Sequence, residues 1–150
     1  MNELKKILVA FDGSPHSRKA LDWALDLSRH YNAETHVVLV WGVLSETRNF
    51  GLMEGGPAWA TLTDRMKEAQ KEDIYMMEEV KLLAQAQKVK MVTAILEGDA
   101  AAVLIDYAKD HAIDLIIAGT RGHGTLDILL GSVTTKLINV APVPVLVVKG

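Results

Sequence analysis

Apolar positions fall into two recurring patterns along this chain. Compact apolar runs occur at Ile7–Phe11, His36–Trp41, Lys90–Leu96, Leu115–Ala118 and Val143–Val148. They are too short for helices and lack the strict alternation of half-solvated strands, so they predict strands buried on both faces. Between them the apolar residues recur every three to four positions. Ala20, Leu21, Trp23, Ala24, Leu25 and Leu27 predict a helix from Pro15 to about Tyr31. Met66, Ile74, Met77, Val80, Leu83 and Ala84 predict a long one from about Thr61 to Gln87. Shorter helices are predicted from Ala100 to about His111 and from Val133 to Val140.

The boundaries carry matching signals. Ser14 before Pro15 reads as an N-cap followed by proline at the first helical position, and Asp99 can cap the third helix. Gly42 to about Trp59, with Gly51, Gly55, Gly56 and Pro57, is irregular and predicts a loop or flap; Trp59 beside the glycines reads as its anchor or as a partner contact. Strands alternating with helices predict an α/β fold: one doubly wound, five-stranded parallel sheet with helices on both faces, Rossmann-like, with residues 1–150 as a single domain. In such sheets ligands bind beyond the carboxyl ends of the strands, where the strand order reverses. That directs attention to Asp12-Gly13-Ser14, Trp41-Gly42-Val43, Glu97-Gly98-Asp99 and the segment from Gly119 onward.

Composition narrows the function classes. A net charge of −3 without any basic run argues against a nucleic-acid partner, because phosphate neutralisation drives that affinity. The absence of cysteine removes disulfides, thiolate catalysis and cysteine-held metals. Histidines 16, 30, 36, 111 and 123 have no metal-ligand spacing, so a metal is expected only as Mg²⁺ or Mn²⁺ carried by phosphates. The first apolar run is too short for a signal peptide or a membrane span, which makes a cytoplasmic location the expectation.

The chemistry concentrates after the fourth strand, in Gly119-Thr120-Arg121-Gly122-His123-Gly124-Thr125 and Gly131-Ser132. Glycines let backbone N–H groups approach an anion, and the helix starting after Gly131 directs its positive dipole end toward one. The Ser132 hydroxyl can add a hydrogen bond, and Arg121 or His123 can add charge. A ligand-free βα loop is the competing reading. No lysine precedes Ser132, so the stretch is not a P-loop, and Asp12-Gly13-Ser14 is not the dinucleotide fingerprint. Asp12 also has a structural alternative, ending the strand and capping the helix.

These residues resemble the universal stress protein family. Its nucleotide-binding members carry glycine, two residues, glycine, nine residues, then glycine and serine or threonine; this chain has Gly119-Thr120-Arg121-Gly122, eight residues, then Gly131-Ser132. Lys6-Ile7-Leu8-Val9-Ala10-Phe11-Asp12-Gly13-Ser14 looks like the family's opening. Leu129-Leu130-Gly131-Ser132-Val133 and Ala141-Pro142-Val143-Pro144-Val145-Leu146-Val147-Val148 look like its close. The resemblance implies an ATP-binding (or ADP- or AMP-binding) regulatory protein of the stress response. It implies that Asp12 meets the adenine or ribose and that the backbone of Ala10 and Phe11 lines the base pocket. Trp41 falls where the family has a small aliphatic residue against adenine, so it either stacks on the base or crowds it out. Ala118 is implied beside the ribose, and Gly119, Arg121, Gly122, Gly131, Ser132, Val133 and Thr134 around the phosphates.

The resemblance also implies a homodimer paired through Val143–Val148, the apolar strand expected at a sheet edge. Catalysis is expected to be at most slow ATP hydrolysis or self-phosphorylation, with Ser132 or Thr134 as acceptor, since the loop offers one arginine, one histidine and no evident base. Two rivals stand beside this reading: an interaction protein that has lost nucleotide binding, motivated by the shortened loop and Trp41, and a weak hydrolase.

Overall fold

In a computed structural model, residues 3–42, 56–120 and 130–150 are described. The chain runs β1 (Lys6–Ala10), α1 (Pro15–Tyr31), β2 (Glu34–Trp41), α2 (Pro57–Ala86), β3 (Met91–Glu97), α3 (Ala100–Asp110), β4 (Leu115–Gly119), α4 (Ser132–Val140) and β5 (Val145–Val148). All strand pairs are parallel, in the order β3-β2-β1-β4-β5. From β1 the chain builds outward first to one side and then to the other. The reversal falls between β1 and β4, and β5 lies at the sheet edge, as expected.

Side-chain parity sorts the core into two layers. Ile7, Val9, Val37, Leu39 and Ile117 pack with α1 and with Met77, Val80 and Ala84 of α2. Leu8, Val38, Ile116 and Ala118 pack with Leu104, Ile105, Tyr107 and Ala108 of α3 and Leu137 of α4. Both faces of the central strands are therefore covered, which explains why those strands read as unbroken apolar runs. No helix among the described residues is long and apolar enough to cross a membrane.

Two details of α2 depart from the sequence expectation. The helix begins at Pro57, with Gly56 as N-cap, so Trp59 is a buried residue of its first turn rather than part of an irregular segment. Proline at a helix start is favoured because its missing N–H would lack an intrahelical acceptor anyway. Ile74 and Leu83, two of the apolar positions that predict the helix, are exposed; its buried stripe is Met77, Val80 and Ala84.

The first βα turn forms as predicted. The Ser14 side chain accepts from Ser17 N, capping α1 ahead of Pro15. Asp12 Oδ1 accepts from Ser14 N at 2.9 Å. Gly13 has φ +80, and a Cβ there would stand 2.5 Å from the Met76 sulfur of α2. Glycine is required here by the left-handed backbone, whereas the flexible Met76 thioether can shift to admit a methyl.

Candidate functional site

Above the carboxyl ends of β1, β2 and β4 lies a cleft of about 300 Å³. That volume falls at the lower end of the roughly 300–1,000 Å³ typical of small-molecule sites. Its walls come from both sides of the reversal point. Ala10, Val38, Val40 and Ala118 form the floor, Ala100 and Leu104 of α3 one wall, Phe11, Asp12 and Ser17 another, and Gly119, Gly131, Ser132, Val133 and Thr134 the far end.

Parity explains the floor. In the β1–β2 register Ala10 stands opposite Val38, and both face the α3–α4 layer. Trp41 has the opposite parity. It packs with the α1–α2 core, and its Nε1 donates to Asp73 of α2 at 2.8 Å. The expectation that Trp41 lies against the base, stacking or crowding, is therefore corrected. One residue along a strand reverses the face, and the aliphatic wall at this height is Val40. Val38, Val40, Ala100, Leu104 and Ser17 were missed by sequence reading; the β1–β2 register puts Val38, and with it Val40, on the face of Ala10.

The far end is organised by two hydrogen bonds. Gly131 N donates to Thr120 O at 2.8 Å, and the buried Thr134 hydroxyl donates to Gly119 O at 2.7 Å. Together they fix the start of α4 against the end of β4. Thr134→Val is expected to leave the Gly119 carbonyl without this donor and to cost about 1–3 kcal/mol. A urea unfolding midpoint checks this; an unchanged midpoint would show that the bond carries no stability.

Helix starts differ sharply around the cleft. α1 and α3 are closed by their own side chains, Ser14 accepting from Ser17 N and Asp99 accepting from Ala102 N. α4 has Gly131 as N-cap and no side-chain cap bond. The first-turn amides of an α-helix have no intrahelical acceptor, and in α4 they belong to Ser132, Val133 and Thr134, which border the cleft. An acceptor-rich anion fits that end. Asp12 is the one charged side chain among the described lining residues. Its carboxylate accepts hydrogen bonds and repels anions, so a donor-bearing group suits the β1 end.

Gly119 has a reason of its own. A Cβ there would stand 2.7 Å from His16 Cβ and 2.8 Å from the His16 carbonyl carbon. The close approach of α1 demands this glycine, whatever its backbone does in the cleft. Ser132 is exposed at the first turn of α4, whereas the Thr134 hydroxyl is buried in its bond to Gly119. Arg121 and Gly122, expected around the phosphates, lie outside the described residues.

The sheet order, with its cleft at the reversal, defines a doubly wound α/β protein. The family profile described as universal stress protein matches residues 3–149, and the chain belongs to that family. Universal stress protein MJ0531 of Methanocaldococcus jannaschii is 36% identical over 149 residues, spanning 99% of this chain and 84% of the relative. Universal stress protein UspA from Lactobacillus plantarum shares the fold with a TM-score of 0.78 at 22% identity, over 99% of both chains. A universal stress protein family member from Arabidopsis thaliana, solved with AMP bound, has a TM-score of 0.69 at 18% identity, over 97% of this chain and 91% of its own.

Proposed function

We propose that this protein binds an adenine nucleotide, ATP by preference, in the cleft between β1 and β4, and acts as a regulatory protein of the stress response. The observation that carries the reading is the polarity of one cavity. Its floor of Ala10, Val38, Val40 and Ala118 is apolar, and its far end offers the uncapped amides of α4. A flat base satisfies the first and a phosphate chain the second. The Asp12 carboxylate then accepts from ribose hydroxyls or an exocyclic amine, both donors, at the end away from the phosphates. Ala10 and Phe11 flank the base, Ala118 the ribose, and Gly119, Gly131, Ser132, Val133 and Thr134 the phosphates. Arg121 and Gly122 complete the phosphate contacts in the same reading, with Mg²⁺ or Mn²⁺ arriving on the nucleotide. AMP in the Arabidopsis protein is a ligand of that protein; it supports the choice of nucleotide class on a shared fold.

Regulation, with at most slow turnover, is the role in this reading: phosphoryl transfer needs charge neutralisation and a positioned base, and the glycine-rich stretch offers one arginine, one histidine and no evident base in its sequence. Dimerisation through β5 belongs to the same proposal, with the apolar edge strand Val145–Val148 as its surface. Protein extracted from cells, denatured and analysed by mass spectrometry should release an adenine nucleotide in near-stoichiometric amount. Folded protein that releases none, and takes up neither ATP, ADP nor AMP on titration, would instead make it an interaction protein without nucleotide.

A further inference from the structure

At the opposite end of the face that floors the cleft, β2 carries a buried polar chain that nucleotide binding does not use. His36 is only 3% exposed. Its Nε2 lies 2.6 Å from Glu34 Oε1, and its Nδ1 lies 2.7 Å from the Tyr107 hydroxyl of α3. His111, at the end of α3, stacks on Tyr107 with ring centroids 3.8 Å apart and meets His36 edge-on. From β1, Lys6 Nζ donates to the His111 carbonyl at 3.1 Å. β1 and β3 place Leu8 and Val92 beside His36 in register. The groups facing the imidazole are thus Glu34 on its own strand, Tyr107 and His111 on α3, and Lys6 on β1.

The hydrogen-bond inventory fixes one consistent protonation pattern. A carboxylate only accepts, so His36 Nε2 carries hydrogen and donates to Glu34. Nδ1 then accepts, and the Tyr107 hydroxyl donates to it. A proton from solvent taken up at Nδ1 converts that acceptor into a donor. The Tyr107 hydroxyl must turn to accept, and its own hydrogen, in a side chain only 7% exposed, loses its acceptor. An unsatisfied buried donor is costly.

The same two elements build the cleft. Leu104 of α3 lines it one turn before Tyr107, and Val38 of β2 lies on its floor two residues after His36. We propose that the Glu34–His36–Tyr107 chain is a proton-sensitive latch between β2 and α3, so that acid loosens α3 and weakens ligand holding in the cleft. Its effect on the ligand rests on the nucleotide reading above; its effect on α3 does not.

Burial lowers the His36 pKa from the ordinary histidine value, with the Glu34 hydrogen bond opposing in part. A lowered folded-state value means that the unfolded chain takes the proton first. The stabilisation is therefore complete above about pH 6.5 and is lost as pH falls through the folded-state value.

Two readouts test the latch. Amide exchange of α3, measured by NMR between pH 7.5 and 5.5 and corrected for intrinsic rates, should lose protection in acid in the wild type, and should not in His36→Leu. Over the same range, the affinity for AMP should fall about fivefold more in the wild type than in His36→Leu, the shared titration of AMP cancelling. Tyr107→Phe keeps the imidazole, removes the donor to Nδ1, and should move the His36 NMR titration to higher pH. Equal pH dependence of α3 protection in wild type and His36→Leu, or an unmoved titration in Tyr107→Phe, would overturn the latch. Absence of binding of ATP, ADP and AMP alike at pH 7.5 would overturn the nucleotide reading, and α3 exchange would still decide the latch.

Discussion

Ser132→Asp is expected to weaken ATP binding by about 2–3 kcal/mol, roughly 30- to 150-fold, while leaving the fold intact or slightly firmer. The two effects have opposite signs for one physical reason. Ser132 is exposed at the first position of α4, whose N-cap Gly131 supplies no side-chain acceptor. A carboxylate there meets the positive end of the helix dipole and stabilises α4 by about 0.3–1 kcal/mol. It also sets a fixed negative charge where the phosphates are proposed to sit and removes the serine hydroxyl as donor. Calorimetric titration and a thermal melt on the same sample separate the terms. A variant that melts like the wild type and still binds ATP with unchanged affinity would place the phosphates elsewhere.

Gly119→Ala is expected to have the largest effect on stability. The new methyl would lie 2.7–2.9 Å from His16 Cβ, carbonyl carbon and carbonyl oxygen. Two of these atoms are backbone, in the first turn of a helix held by Ser14 and Pro15, so they cannot swing aside as a flexible side chain does. Overpacking of this kind costs typically about 1–3 kcal/mol, and the fixed neighbours favour the upper half of that range. For a chain of this size a loss of about 2–3 kcal/mol lowers Tm by roughly 4–12 °C. Nucleotide affinity should fall as well, because α1 must back away from β4 at the cleft. A variant as stable as the wild type would mean that α1 and β4 are not in this contact.

Much of this architecture is written in the apolar pattern. Five strands and four helices follow from runs buried on both faces alternating with helical spacing, and the caps Ser14 and Asp99 sit where residue type places them. The beginning of α2 was harder to read. Pro57 signals equally a loop and a first helical turn, and the burial of Trp59 that favours the helix is a tertiary fact.

The site was legible unevenly for related reasons. Residues at strand ends, Ala10, Phe11, Asp12, Ala118 and Gly119, and those at the start of α4 meet at one cleft because a parallel sheet gathers its carboxyl ends. Val38 and Val40 read as ordinary core until the β1–β2 register sets Val38 beside Ala10. Trp41 shows the converse. Its position in the chain suggested the ligand, but parity turned it toward Asp73. Gly119 reads as part of a phosphate-binding run, while its lack of a side chain answers to His16. The Glu34–His36–Tyr107 chain was not legible, because its members come from two elements whose facing surfaces are fixed only by packing.

In the proposed function, the start of α4 and the apolar floor beside it together hold an adenine nucleotide. Titrating isotope-labelled protein with ATP and following backbone amides tests this most directly. Saturable shifts are expected to be largest at Ser132, Val133 and Thr134, accompanied by Ala10, Phe11 and Val40, and to spare the exposed α2 surface around Tyr75 and Leu82. Shifts centred elsewhere, or none at millimolar ATP with a folded spectrum, would contradict it.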